Sequence, residues 1–207
     1  MYEHIRKLSK EHYERALAQF GDTPQGVDWC DKESQRLRFK ILCEIDSLNG
    51  KTIHDVGCGL AHMADYLEDR GIKCNYIGSD ISSAMIEQAK LRLSNRVELH
   101  VADILNGIPN QDIYADYVIA SGLYNVKGDV DTAEWYNFVK SMILRMFEYA
   151  RCGIGFNIMT SYVDFYNNQL FYLPPAEMLD FCIQQLSHRV VIRHDYPLWE
   201  YTTYVYK

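Results

Sequence analysis

The chain has 207 residues, and at roughly 100 to 200 residues per domain that admits one full-sized domain and no second enzyme. Apolar residues make up 48% and charged residues 24%, a balance that can bury a sizeable interior and excludes a disordered or fibrous chain. Lys and Arg number 21 against 28 Asp and Glu, a net charge of −7, so no basic stripe is available to release counterions from a phosphate backbone, and stand-alone DNA or RNA binding is disfavoured.

The N-terminus, Met1 to Lys7, carries charge where a signal peptide needs an apolar run, and no apolar stretch is long enough to span a bilayer. Six cysteines, Cys30, Cys43, Cys58, Cys74, Cys152 and Cys182, stand singly without C-x-x-C or zinc spacing, and read as free thiols in a reducing compartment. The expectation is a cytoplasmic protein with no membrane partner. Oligomeric state is left open, a homodimer being compatible with the sequence.

Residues 2–20 place Ile5, Leu8, His12, Ala16 and Phe20 near a 3.6-residue period, with Gly21 as a stop, which predicts a helix. A Gly/Pro loop over 21–27 follows. Asp31 then caps a second helix with apolar positions at Leu37, Ile41, Cys43, Ile45 and Leu48. Residues 1–50 therefore read as a helical cap, and 51–207 as the core of the same domain.

From Thr52 short apolar strands alternate with helices, the signature of βαβ units and a mainly parallel sheet. Strands are expected near 52–56, 74–79, 97–102, 116–121 and 152–158, with helices near 61–70, 82–94 and 132–150. The Pro174-Pro175 pair starts a helix near 175–187. Two strand-like runs at 189–193 and 201–206 are too close for a crossover helix, so they pair antiparallel.

The first strand runs into Asp55-Val56-Gly57-Cys58-Gly59-Leu60-Ala61, a turn that opens a helix. Gly57 and Gly59 let a ligand lie against bare main chain, and the helix start offers unpaired N–H groups. Asp55 can fix the loop and face a cation. A dinucleotide site would require glycine at position 62, where the chain has His62. Asp80, ending the second strand, suits both hydroxyls of a ribose, and Asp103, ending the third, suits the exocyclic amine of adenine. Cys58 between the two glycines lacks a His partner motif and reads as structural, as does His54 within the first strand.

In the order and spacing of these features the chain resembles the class I S-adenosylmethionine-dependent methyltransferases over Thr52 to Lys207. The resemblance implies a Rossmann-like α/β fold: a seven-stranded, mostly parallel sheet, helices on both faces, and a closing antiparallel hairpin. It implies S-adenosylmethionine as cofactor, S-adenosylhomocysteine as product, and no required metal. Carried over by position, Asp55, Gly57, Cys58 and Gly59 are similar to the methionine-side loop, Asp80 to the ribose ligand and Asp103 to the adenine-amine ligand. Ile81, Met85 and Ile104 correspond to apolar walls around the base, and Ser121 to the cofactor edge of the fourth strand. Where the family commonly has a third glycine, this chain has Ala61.

The fourth strand ends where the family places the reacting methyl, so Tyr124 and Asn125, joined by Tyr162, are the candidate catalytic residues. The aromatic, amide-rich connection through Tyr162, Tyr166 and Tyr172 is the candidate acceptor wall, and 16 tyrosines in the chain draw attention to it. Trp29, within the segment 26–31, is the candidate lid residue, and Arg38 on the next helix could pair with the cofactor's carboxylate. His194 beside Asp195 is a weak base candidate, because neighbours on a strand face opposite ways. With no separate recognition domain and no basic surface, the expected acceptor is a small molecule with an oxygen, nitrogen or carbon nucleophile. The competing readings are an inactive binding or scaffold subunit and an NAD(P)-dependent oxidoreductase, the second weakened by His62 and the closing hairpin.

Overall fold

The computed structural model describes residues 2–27, 29, 31–94, 96–107 and 114–207. In chain order it contains α1 (Glu3–Phe20), a short 3-10 turn (Pro24–Val27), α2 (Lys32–Cys43), β1 (Thr52–Val56), α3 (His62–Asp69), β2 (Asn75–Asp80), α4 (Ser83–Leu93) and β3 (Glu98–Val101). Then come β4 (Ala115–Ala120), α5 (Thr132–Tyr149), β5 (Ala150–Thr160), β6 (Tyr172–Leu173), α6 (Pro175–Gln185), β7 (Val190–Arg193) and β8 (Glu200–Tyr206).

The sheet order is β3-β2-β1-β4-β5-β8-β7. Strands β1 to β5 pair in parallel, and β8 inserts antiparallel between β5 and β7. The chain builds outward from β1 to β3, then returns to lay β4 on the other side of β1. That reversal opens a crevice at the carboxyl ends of the strands, the place where open α/β sheets bind ligands. To the seven expected strands the structure adds one of two residues: β5 continues past its last β4 partner, Phe156, and its end pairs with Tyr172 and Leu173.

Alternation along the strands feeds two cores, as expected for a sheet covered on both faces. Val118, Phe156 and Tyr201 point toward α5 and α6 and pack with Phe138, Met146 and Met178. Ile53, Ile119 and Tyr204 point the other way, toward α2, α3 and α4, and pack with Leu42, Met63 and Ile86. Caps set the helix starts: Asp31 accepts from Ser34 N at 2.7 Å to begin α2, and Ser82 accepts from Met85 N at 3.2 Å to begin α4.

Two features of the cap differ from expectation. Helix α2 ends at Cys43 in a tight turn, Glu44 N bonding Ile41 O at 3.0 Å, so Ile45 and Leu48 are buried from the segment beyond it. In α1 only Ile5 of the apolar set is buried, while Leu8 and Phe20 are 48% and 45% exposed. Beyond Ile5 the helix lies over a cavity, which Arg6, Ser9, Lys10 and Tyr13 line from its inward face. Among the described residues, no helix is long and apolar enough to cross a membrane. Cys43, Cys58, Cys74, Cys152 and Cys182 are free thiols; Cys30, and Asp28 of the expected lid segment, lie outside the described residues.

Candidate active site

The floor of the site is made by strand ends tied to one another through backbone N–H groups. Gly57 N and Cys58 N both donate to Ser79 O, at 2.8 and 3.0 Å, which straps the glycine loop to the end of β2. Asp80 completes the strap: Oδ2 accepts from Gly59 N at 2.9 Å and Oδ1 from Ser82 N at 2.8 Å. Burial pushes the Asp80 carboxyl up from its ordinary range, and those N–H groups pull it back. Each carboxylate oxygen retains a lone pair, so Asp80 can still accept from a ligand.

Asp55 is fully enclosed. Its Oδ2 accepts from Tyr76 OH at 2.7 Å, while Oδ1 has no partner among the described residues. Burial pushes its carboxyl up to about 7, against the Tyr76 hydrogen bond that lowers it. The Cys58 thiol is also pushed up by burial, with Asp55 and Asp80 adding to the effect, so it stays protonated and is no nucleophile. His54 bonds Ser79 Oγ at 2.7 Å through Nε2, leaves Nδ1 unpartnered among the described residues, and is lowered by burial to about 4, a neutral histidine inside the sheet.

All ten residues expected around the cofactor, Asp55, Gly57, Cys58, Gly59, Asp80, Ile81, Met85, Asp103, Ile104 and Ser121, line one cavity across the ends of β1 to β4. Trp29 and Asn125 line it too. The donor set suits a nucleoside carrying an amino acid. Asp55 Oδ1, an acceptor, and Ser121 Oγ, a hydroxyl that can donate or accept, are buried without partners among the described residues, Ile81, Met85 and Ile104 are apolar, and Gly59 presents bare main chain.

The roof comes from the N-terminal segment. Arg6, Ser9, Lys10 and Tyr13 line the cavity from α1, and their spacing of three, four and seven residues puts them on one helix face. Arg6 forms a part-buried ion pair with Asp103 Oδ2, whose other oxygen accepts from Leu105 N at 3.0 Å. Glu14 accepts from Ser82 Oγ at 2.7 Å. Farther along, Gln35 Nε2 lies 3.1 Å from His62 Nδ1, and His62 Nε2 lies 2.8 Å from Asp22 Oδ1. An amide nitrogen only donates, so Nδ1 accepts and Nε2 carries the proton that goes to Asp22. Arg92 reinforces this corner by pairing with Asp65 and, at 3.5 Å, with Asp22.

The tyrosines fall elsewhere. Tyr124 is fully buried in the α5 core: its ring edge meets Phe156, its OH points at Met146 Sδ at 3.0 Å, and its carbonyl accepts from Trp135 Nε1 at 3.0 Å. Beyond β4 the chain dips back under α5 at this residue, so the hydroxyl faces away from the cavity. Tyr162 is 66% exposed and stacks on His194, and Tyr166 packs against Tyr172 at 4.9 Å on the outer surface. None of these four, Tyr124, Tyr162, Tyr166 and Tyr172, lines the cavity. Asp195 is held by Arg193 at 2.8 Å, not by His194. Arg38 is turned away from the cofactor floor, bonding Glu200 at 2.8 Å with its guanidinium over Trp29.

Reading the sequence alone missed Arg6, Lys10, Gln35 and the positive role of His62. The signal for the α1 residues was present in the 6, 9, 10, 13 spacing, but a polar stripe on a helix ordinarily means solvent.

A profile of the methyltransferase domain matches residues 53–142. A protein of Mycobacterium tuberculosis named "Putative methyltransferase Rv1506c" is 35% identical over 158 residues, covering 75% of this chain and 93% of that protein. Two solved structures share the fold. Magnesium protoporphyrin IX methyltransferase from Synechocystis PCC 6803, with bound S-adenosylhomocysteine, aligns with TM-score 0.68 at 13% identity over 98% of this chain and 99% of that one. The 1,6-didemethyltoxoflavin-N1-methyltransferase of Burkholderia thailandensis, with bound 1,6-didemethyltoxoflavin and S-adenosylhomocysteine, aligns with TM-score 0.64 at 12% identity over 98% of this chain and 90% of that one.

Proposed function

Because the chain belongs to the class I S-adenosylmethionine-dependent methyltransferases, we propose that it transfers the methyl group to a small-molecule acceptor and releases S-adenosylhomocysteine. The observation that carries the small-molecule reading is the roof: α1 and the Pro24–Val27 turn close the cavity with the chain's own side chains, among them Arg6, Lys10 and Val27. A net charge of −7 argues in the same direction, against a polynucleotide acceptor. Two structural neighbours are named for small molecules, magnesium protoporphyrin IX and 1,6-didemethyltoxoflavin.

Each group on the floor has a task. Asp80 accepts the ribose hydroxyls while it holds the glycine loop, so ligand binding and loop shape depend on one carboxylate. Asp55 Oδ1 receives the ammonium group, whose positive charge compensates the carboxylate's desolvation. Asp103 accepts the adenine amine from beside Arg6, and Ile81, Met85 and Ile104 flank the base. The cofactor supplies a methyl on a sulfonium, already an activated leaving group, so the protein's share of the chemistry is alignment and exclusion of water.

Ser121 and Asn125 border the methyl end. Asn125 is buried, and its Oδ1 has no partner among the described residues, so it can accept from an N–H or O–H on the acceptor and orient the lone pair for in-line attack. Calorimetry with S-adenosylhomocysteine tests the cofactor half of this reading; no heat at millimolar ligand would sink it. For the acceptor half, label from methyl-tritiated cofactor is followed in cell extract. It should appear in the low-molecular-mass fraction, and label that is lost to ribonuclease or protease would overturn the small-molecule assignment.

A further inference from the structure

A second set of buried polar groups lies beside the methyl end and has no part in holding the cofactor. Arg38, on α2, and Glu200, at the start of β8, form an ion pair at 2.8 Å with side chains only 12% and 2% exposed. A buried pair of this kind costs desolvation on both sides and is weak evidence for stability, so its presence calls for another explanation. The Arg38 guanidinium lies 4.1 Å from the centre of the Trp29 ring. The far edge of the same indole lies so close to Gly122 that a Cβ at that position would collide with Trp29 Cη2. Gly122 also has φ +69, a conformation that a side chain rarely adopts, so glycine is required there twice over. Gly122 N donates to Asn157 Oδ1 at 2.8 Å, and Asn157 lies beside Glu200 on the same face of the sheet.

The set Gly122, Asn157, Glu200, Arg38 and Trp29 is linked by four contacts, Gly122–Asn157, Glu200–Arg38, Arg38–Trp29 and Trp29–Gly122, while between Asn157 and Glu200 the buried Nδ2 and Oε1 have no hydrogen-bond partner among the described residues. It joins the cap to the end of β4, where the methyl is delivered. Resting on the methyl-transfer reading above, we infer that Arg38 and Glu200 are positioning residues that press Trp29 against Gly122, and that the indole so held is a wall of the acceptor site, selecting a flat, electron-rich acceptor. The selectivity follows from the stack. With the cation on one face and Gly122 at the edge, the rest of the indole borders the cavity that it lines. A guanidinium on one face draws electron density from the ring, so a second cation there is disfavoured, and a neutral or anionic unsaturated ring packs well. Phe39, Leu123 and Val126 are apolar members of the same cavity lining, and Asn125 is the polar group for the reacting N–H or O–H.

The test compares acceptors and variants. Phenols and N–H heteroaromatics are run against aliphatic alcohols and amines of equal size, with S-adenosylhomocysteine affinity measured in parallel by calorimetry. In the wild type, flat acceptors should win by about tenfold or more in kcat/KM. Arg38→Met and Glu200→Gln should raise KM for flat acceptors about tenfold, with S-adenosylhomocysteine affinity within about threefold of wild type, and Arg38→Lys should recover part of the loss. Trp29 is outside the core, so Trp29→Leu keeps the fold and should abolish the preference for flat acceptors even if the buried-pair variants unfold. A wild-type preference for aliphatic or cationic acceptors overturns the inference. So does a Trp29→Leu enzyme with unchanged selectivity, or an equal loss of cofactor affinity and turnover in Arg38→Met. Failure of the wild type to bind S-adenosylhomocysteine is a different result, which strikes the methyl-transfer reading itself.

Discussion

The floor and the roof of the cavity are built by different means. On the floor, carboxylates meet backbone N–H groups close in sequence: Asp80 reaches Ser82 two residues away and Gly59 twenty-one residues away. In the roof, side chains meet side chains across long stretches of chain: Glu14 to Ser82 spans 68 residues, Arg6 to Asp103 spans 97, and Arg38 to Glu200 spans 162. A floor of backbone bonds is fixed as soon as its strands pair. A roof of side-chain pairs holds only while the N-terminal helices stay docked.

The largest expected effect strikes the floor. Asp80→Ala removes the proposed ribose acceptor and releases Gly59 N together, and should weaken S-adenosylhomocysteine by about 100-fold, the value of two charge-assisted hydrogen bonds; calorimetry reads this directly. A loss below about threefold would mean that the floor does not carry cofactor binding.

Next comes the pH response of Asp55. Burial raises its carboxyl to about 7, so in the free protein it contributes stability while protonated, and that contribution is lost as pH rises from the ordinary carboxylate range through about 7. A bound ammonium group favours the ionised form and reverses the preference. S-adenosylhomocysteine affinity should therefore rise by about tenfold from about pH 6 to about pH 8, and Asp55→Asn should flatten the profile. A flat wild-type profile would detach Asp55 from the ligand's ammonium.

The roof should respond in rate more than in affinity. Arg6→Ala breaks the pair with Asp103 while sparing every floor bond, and should speed S-adenosylhomocysteine dissociation by about three- to tenfold in stopped flow, with a smaller change in Kd. Unchanged release would show that α1 does not restrain the ligand. The smallest effect is Ala61→Gly. Ala61 has φ 55, a left-handed conformation that costs a non-glycine residue roughly 1–2 kcal/mol, partly offset by the greater freedom of glycine in the unfolded chain. The variant should gain up to about 1 kcal/mol, seen as a rise of about 2–4 °C in Tm.

The same contrast governs how much of the molecule was legible in its sequence. Strand ends and the glycine loop are local: β1 occupies residues 52–56 as its pattern predicts, and Asp55, Asp80 and Asp103 all reach the cavity. The resemblance marked Ala61 as a departure from a third glycine, but what glycine would supply there shows only in its φ of 55. What was not legible depends on tertiary pairing. The residues Arg6, Ser9, Lys10 and Tyr13 read as a solvent face until a cavity is seen beneath them. His62 registered only as a missing glycine, whereas it links Gln35 to Asp22. Tyrosine frequency misdirected attention because one residue type serves two ends: Tyr124 fills core, while Tyr162 and Tyr166 lie outside. Trp29 reached the cavity as expected, but the partner that holds it, Glu200, stands at the far end of the chain and has no local signature.

That distance has a consequence for biosynthesis. Strand β8 follows β1 to β7 in the sequence, yet it inserts into the interior of the sheet, between β5 and β7, and brings Glu200 beside α2. On the readings proposed above, the residues of the cofactor floor are all made before Arg38 has its partner, so the acceptor wall is the later of the two to be set.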